Sequence, residues 1–335
     1  MASTGSAIMK AEGCCCFVFL MSFMAVTGQL NSGFYSSSCP NVEGIVRVAV
    51  ATKVASSLVA GPATLRLFFH DCFVTGCDAS VMVVNEDGDA EKDATSNLSL
   101  NPAGFQTIIA VKEAVEALCP GVVSCADIMA MAARDVVVLM GGPFFEVELG
   151  RRDGMISTAS LVAGNLPDPR HSFSELENIF ARNNLSKIAM VTLIGGGHTV
   201  GTSHCSSFSH RLYSFSETSP VDPSLKPLYS LALQAICPPQ ANPIVIVPLD
   251  PVTPLLFDNV FFINVLKGKG LFASDAELLK DPVSAATVNT FATNKQAFFH
   301  AFSTSMVKLG RAGVSTGNKG TIRTDCTRIQ IPIIY

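Results

Sequence analysis

The chain contains no tryptophan and only four tyrosines, so it carries no indole fluorophore. Charge is scarce: 15% of the 335 residues are Asp, Glu, Lys or Arg, and the formal net charge is −4. Without a basic excess, neither nucleic acid nor an anionic membrane surface is favoured as a partner. There is no internal repeat at a solenoid period and no low-complexity tract. No Cys-x2-Cys pair occurs, and the cysteine spacings of five and six suit no common zinc knuckle. No glycine-rich phosphate loop follows a strand pattern. GGGHTVG (195–201) follows an apolar, helix-like run instead, so a dinucleotide-binding fold is not supported.

What is present begins with hydrophobic residues, at 48%, in a chain long enough for a large core in one domain or two. Residues 1–28 read as a signal peptide. Lys10 supplies a weak positive start, CCCFVFLMSFMAV (14–26) is the apolar run, and Val26-Thr27-Gly28 suits cleavage before Gln29. The run is too short to span a bilayer comfortably and no stop-transfer pattern follows, so no stable membrane anchor is expected. Cys14, Cys15 and Cys16 leave with this segment. Cys39, Cys72, Cys77, Cys119, Cys125, Cys205, Cys237 and Cys326 remain. An even count behind a signal peptide points to an oxidising compartment and four disulfides, although eight cysteines allow 105 pairings.

Apolar residues at three- and four-step spacing predict helices over 42–61, 63–73, 102–121, 124–143, 172–186, 257–270 and 281–313. Strand patterns are short, at 145–154 and 321–326, and the Pro-rich stretch 238–248 reads as a connector. The expected fold class is therefore mainly α, with about ten helices and a few short strands.

Within the second helix, RLFFHDCFVTGCDAS (66–80) places three ionisable groups in an apolar run. Burying such groups costs several kcal/mol each, at about that magnitude, unless something pairs with them. Arg66 and His70 are four apart and share a helix face. A cation beside a neutral imidazole depresses its pKa and leaves it a base, which suits proton removal with a fixed cation steadying negative charge. Asp71, one step on, points about 100° away to another partner. His198 follows three glycines, which permit close backbone approach to something flat or bulky.

RLFFHDCFVTGCDAS, CPGVVSCADI, LGRRDG, NLPDP, GGGHTVG, TPLLFDN and the closing G-x-I-R-x-D-C together resemble the secreted plant haem peroxidases of class III, from Gln29 to about Cys326. The resemblance implies a single peroxidase domain over 29–335, in two lobes around one buried haem b. It implies reduction of H2O2 with one-electron oxidation of phenolic donors, in a monomer secreted to the cell wall, with a vacuolar destination left open. His198 would be the iron ligand and Asp275 the carboxylate behind it. His70 would be the distal base, Arg66 the charge stabiliser, and Asn97 the partner that fixes the His70 tautomer. Phe69 lies beside His70, and Pro167 would line the mouth used by aromatic donors. Two Ca²⁺ sites are implied. One uses Asp71, Val74, Gly76, Asp78 and Ser80, with Glu91 acting through water. The other uses Thr199, Asp250, Thr253, Leu256 and Asp258. The implied disulfides are Cys39–Cys119, Cys72–Cys77, Cys125–Cys326 and Cys205–Cys237, and Asp127 with Arg151 would form a buried ion pair.

The chain departs from the family pattern in places. Phe145 replaces a tryptophan, Val59 and Ala63 replace an arginine and a serine near the haem propionates, and NPAGF (101–105) replaces an arginine and adds one residue. Sequons lie at Asn97-Leu98-Ser99 and Asn184-Leu185-Ser186, and Asn184 is the better glycosylation candidate. Two other readings compete: a non-enzymatic scaffold with weak haem binding, and a calcium-dependent hydrolase using Asp71 and His70. The hydrolase leaves His198, Asp275 and Arg66 unexplained.

Overall fold

The computed structural model describes residues 1–2 and 29–329. The expected signal segment falls almost wholly outside them. Helix α1 (Val42–Ser56) turns Val42, Val46 and Val50 inward at four-residue spacing. The expected helix over 42–61 is broken: Ser57 is extended, and α2 (Ala60–Val74) begins three residues later. Pro62 explains the break. It lacks an N–H and its ring clashes with the carbonyl four residues back, but it is tolerated in the first turn of a new helix.

Helix α3 (Pro102–Glu116) starts on a proline, with the Asn101 side chain accepting from the Ala103 amide. Gly104 lets α3 approach α2 closely, because a Cβ there would sit 2.8 Å from the Ala63 carbonyl oxygen. Helix α4 (Cys125–Leu139), capped by Ser124, is buried at every position from Cys125 to Val137. A helix buried on every face belongs in a core, its few charged side chains paired, as Arg134 is with Asp135 at 2.7 Å, and α1, α2 and α3 all pack against it.

The second half is built around α6 (Lys187–His198), which is preceded by α5 (Phe173–Arg182). Then come α7 (His210–Tyr213), α8 (Pro227–Ile236), α9 (Val260–Leu266), α10 (Ala273–Glu277), α11 (Pro282–Thr293) and α12 (Lys295–Leu309). The single helix expected over 281–313 is two. Asn294 ends α11 and caps α12, its side chain accepting from the Ala297 amide at 3.0 Å. The helix expected over 257–270 shortens to α9, and α7, α8 and α10 were not anticipated. Helices α9, α11 and α12 pack on α6.

The strands differ from expectation. Stretches 145–154 and 321–326 contribute only isolated bridges, Asn31 with Leu149, Arg152 with Ser315 and Asp153 with Thr321. The two-stranded antiparallel sheet is β1 (Thr202–His204) with β2 (Ile246–Pro248), Ser203 facing Val247. Strand β2 falls at the end of the stretch expected to be a connector. Its Ile246 is exposed and Val247 buried, the two-residue alternation of a short strand.

One continuous apolar core runs through both helix groups. Under α6, the rings of Phe257, Phe262, Phe291, Phe298 and Phe302 contact one another. Each such buried ring stabilises by roughly 1.5–3 kcal/mol. Phe145, where the family pattern has tryptophan, is 7% exposed and meets Phe302 edge-on, so it fills a core position. A smaller core surrounds Cys205, Phe208, Leu233 and Phe272. Disulfides join Cys39–Cys119, Cys72–Cys77, Cys125–Cys326 and Cys205–Cys237. Arg151 donates to Asp127 at 2.9 Å and to the Gly310 carbonyl at 2.6 Å, and Tyr35 donates to the other Asp127 oxygen. This buried network ties α4 to the segment after α12.

Candidate active site

Helix α2 carries Arg66 and His70 on one face and Asp71 on the other, and it touches α6. His70 Nδ1 lies 2.7 Å from Asn97 Oδ1. The Asn97 amide nitrogen donates to the Glu91 carbonyl at 2.7 Å, so the oxygen facing His70 can only accept. His70 therefore carries its proton on Nδ1 and presents an unprotonated Nε2. Burial, then the Arg66 charge, push its pKa down to about 3 against the pull of the Asn97 bond. Desolvation by the surrounding protein also lowers Arg66, to about 10, which leaves it a cation at neutral pH.

His198 ends α6. Its Nδ1 lies 2.8 Å from Asp275 Oδ1, and the other Asp275 oxygen accepts from the Phe272 amide at 2.8 Å. Asp275 is 1% exposed, on α10. The buried carboxylate holds a proton on Nδ1, leaving Nε2 free as a ligand. Phe261 and Phe272 flank the ring edge-on, with centroids at 5.8 and 5.2 Å.

The glycines before His198 have different roles. A side chain at Gly195 would collide with the Phe262 ring, and one at Gly196 with Phe302, so α6 must be bare to seat on α9 and α12. At Gly197 an added Cβ would meet open space. Gly197 and Arg66 are exposed, and both histidines are half-buried. Two imidazoles with free Nε2 atoms, beside open space and aromatic rings, form a donor set that fits haem.

Phe69 stacks on Phe73 at 4.0 Å and meets His70 edge-on at 6.4 Å. Pro167 is half-buried, two residues before Pro169, whose carbonyl accepts from the Ser274 amide of α10. Val59 lies at the start of α2, and Ala63 packs against Gly104. Neither can supply the charge or hydroxyl the family pattern has there.

Asp71 does not pair with His70. Its oxygens accept from the amides of Ala79 and Val81, at 2.9 and 3.3 Å. This removes the dyad that the hydrolase reading needs. Asp78 accepts from the Ser80 amide at 3.0 Å, and the Thr75 hydroxyl lies 3.3 Å from that of Ser80. Val74 ends α2, and Gly76 packs backbone to backbone with Gly313. Burial raises Asp71 well above the usual carboxyl range, helped by the charges of Asp78 and Glu91. It also raises Asp78, and lifts Glu91 to about 8. Both Glu91 carboxyl oxygens are buried without a hydrogen-bond partner.

On the other side, the Thr199 hydroxyl donates to the Asp258 carbonyl at 2.8 Å, and Thr253 donates to the Asp258 side chain at 3.2 Å. One Asp250 oxygen accepts from Val252, Thr253 and Asn264, while the second is buried and unpartnered. The Leu256 side chain is exposed. Among the described residues no three His, Cys, Asp or Glu side chains form a ready-made metal cluster.

Sequence reasoning missed Ser99, which holds Arg66, as well as the Glu91 carbonyl behind Asn97 and the Phe272 amide behind Asp275. Ser99 had one sequence signal, as the last residue of the Asn97 sequon. The two sequons differ: Asn97 is buried and engaged at both ends, whereas Asn184 is exposed.

A helical protein with two half-buried imidazoles on neighbouring helices, one backed by a carboxylate and one by an amide, carries groups that suit a haem-dependent redox enzyme. Comparison with known proteins specifies the class further. The peroxidase family model matches residues 46–294. Peroxidase 55 of Arabidopsis thaliana is 52% identical over 311 residues, covering 92% of this chain and 94% of that protein. Peroxidase 45 of the same plant is 48% identical over 315 residues, covering 93% and 96%. Peroxidase 51 is 50% identical over 315 residues, covering 92% and 95%. The chain belongs to the plant class III peroxidases, and it is a haem peroxidase that uses hydrogen peroxide and a donor substrate.

Proposed function

We propose that this enzyme is a secreted monomer, acting in the cell wall, that oxidises phenolic donors by one-electron steps. In this reading residues 29–335 form one domain, and His198 holds haem iron through Nε2. When bound, haem supplies the electrons and the coordination position for cleavage of the O–O bond. His70 Nε2 takes a proton from hydrogen peroxide and returns it to the departing oxygen. Arg66 steadies the negative charge that develops there. Asn97 holds His70 in the tautomer that can accept, and Asp275 keeps His198 electron-rich. Phe69 and Pro167 give the donor an apolar approach.

The observation that carries this reading is the matched pair of hydrogen bonds, His70 to Asn97 and His198 to Asp275, which leave both Nε2 atoms free. Two Ca²⁺ ions complete the proposal. The first would sit among Asp71, Asp78, Ser80 and the carbonyls of Val74 and Gly76, with Glu91 behind. The second would sit among Thr199, Asp250, Thr253, Asp258 and the Leu256 carbonyl. What supports them is the set of buried carboxyl oxygens, on Glu91 and Asp250, with no other partner.

His70→Leu tests the assignment. The variant should keep its haem absorption and slow its reaction with peroxide by about 10²–10⁴-fold, the usual worth of a general base. An unchanged rate would remove His70 from the chemistry.

A further inference from the structure

We propose that Ser99 is a positioning residue for Arg66, so that the single turn Asn97–Ser99 sets both members of the Arg66 and His70 pair. Arg66 Nη1 donates to the Ser99 carbonyl at 2.8 Å, and Nη2 donates to the Ser99 hydroxyl at 2.9 Å. The two terminal nitrogens of the guanidinium thus grip one residue, a fork that fixes the plane as well as the position of the cation. Two residues earlier on the same turn, Asn97 holds His70.

The turn is itself well anchored. The Asn97 amide donates to Ala94 and the Leu100 amide to Asn97, both at 2.8 Å, and Leu100 is buried. The Asn97 side chain adds its bond to the Glu91 carbonyl. A fixed turn therefore meets a fixed helix, and the flexible arginine is the part that needs guidance.

The chemistry of the grip matters as much as its geometry. Among the described residues no carboxylate lies within ion-pair distance of Arg66, whereas the buried Arg134, Arg151, Arg211 and Arg323 each face one. Ser99 offers only a carbonyl and a hydroxyl. Neutral acceptors orient the guanidinium without cancelling its charge, so its field stays available to an anion beside it.

The inference rests on the reading of Arg66 as the charge stabiliser, and its test separates the two. The haem-loaded protein is titrated with fluoride, a small anion that a nearby guanidinium stabilises, and the rate of its reaction with peroxide is measured. Ser99→Ala removes the hydroxyl, Ser99→Thr keeps it, and Ser99→Val removes it again from a side chain isosteric with the threonine. We expect Ala and Val each to weaken fluoride binding and slow the peroxide reaction by about tenfold, the worth of one charge-assisted bond. Thr should restore both to within about twofold on the same scale, with thermal midpoint and haem content unchanged throughout. Arg66→Leu should lower both further. If Arg66→Leu lowers both but the Ala and Val variants match wild type, Ser99 has no positioning role. If Arg66→Leu changes neither, the reading of Arg66 fails and takes this inference with it.

Discussion

His198 and Asp275 lie 77 residues apart in the chain, yet their side chains meet through a 2.8 Å hydrogen bond from ring Nδ1 to a carboxylate oxygen. The bond is fixed from both sides. The Phe262 and Phe302 rings seat α6 through Gly195 and Gly196, and the Phe272 amide clamps the far oxygen of Asp275. Replacing Asp275 by Asn would put an amide where that oxygen now accepts, so either the histidine or the backbone loses its partner. Asp275→Asn should retain haem, raise its reduction potential and lower peroxidase turnover by about 10–100-fold, as loss of such a partner does in metal sites. Spectroelectrochemistry and steady-state assay measure the two effects.

Calcium removal addresses the buried carboxylates. Without a cation, Glu91 keeps two oxygens unpartnered, and Asp71 and Asp78 are crowded together with it. Excess EGTA should lower the thermal midpoint and reduce activity, and added Ca²⁺ should restore both. At a hundredfold excess over its dissociation constant, one site contributes about 2.7 kcal/mol. An unchanged midpoint in EGTA would contradict the calcium assignment.

Arg211 offers a prediction about stability and pH. It is fully buried and donates to Asp222, to the Ser224 hydroxyl and to the carbonyls of Gly270, Leu271 and Phe272, the segment leading into α10. Burial pushes the Asp222 pKa up, but Ser224 and Arg211 outweigh it, and the pKa lies below the ordinary value. The stabilisation from Asp222 is thus present in full above the unfolded carboxyl pKa of about 4 and is lost as pH falls through the lower native value. Asp222→Asn should destabilise the protein by about 3–5 kcal/mol near neutral pH, because it leaves a buried cation unpaired. Thermal melts should show the gap between variant and wild type narrowing at acid pH.

Much of this was legible in the sequence, for physical reasons that also explain the failures. Arg66 and His70 could be paired because a helix fixes what lies four residues on. The resemblance supplied Asp275 and Asn97, which no local pattern could bring to the histidines. The break before α2 was placed at Pro62, a few residues too late, because the apolar spacing runs on past Ser57 and Pro62 acts on the turn before it. The break at Asn294 was missed for a similar reason, since a capping side chain leaves the apolar pattern on either side intact. Strand β2 is three residues long and ends on a proline, too short for alternation to stand out. The sequon marked Ser99 but not its role, because its hydroxyl acts on a helix that only tertiary packing brings near.

Haem binding through His198 is the central claim, and absorbance titration of the mature protein with hemin tests it most directly. The wild-type chain should bind one equivalent and give the Soret band of a histidine-ligated haem, and His198→Ala should lose that band while keeping its helical content. A wild-type protein that stays colourless, or a His198→Ala variant with the wild-type spectrum, would contradict the account.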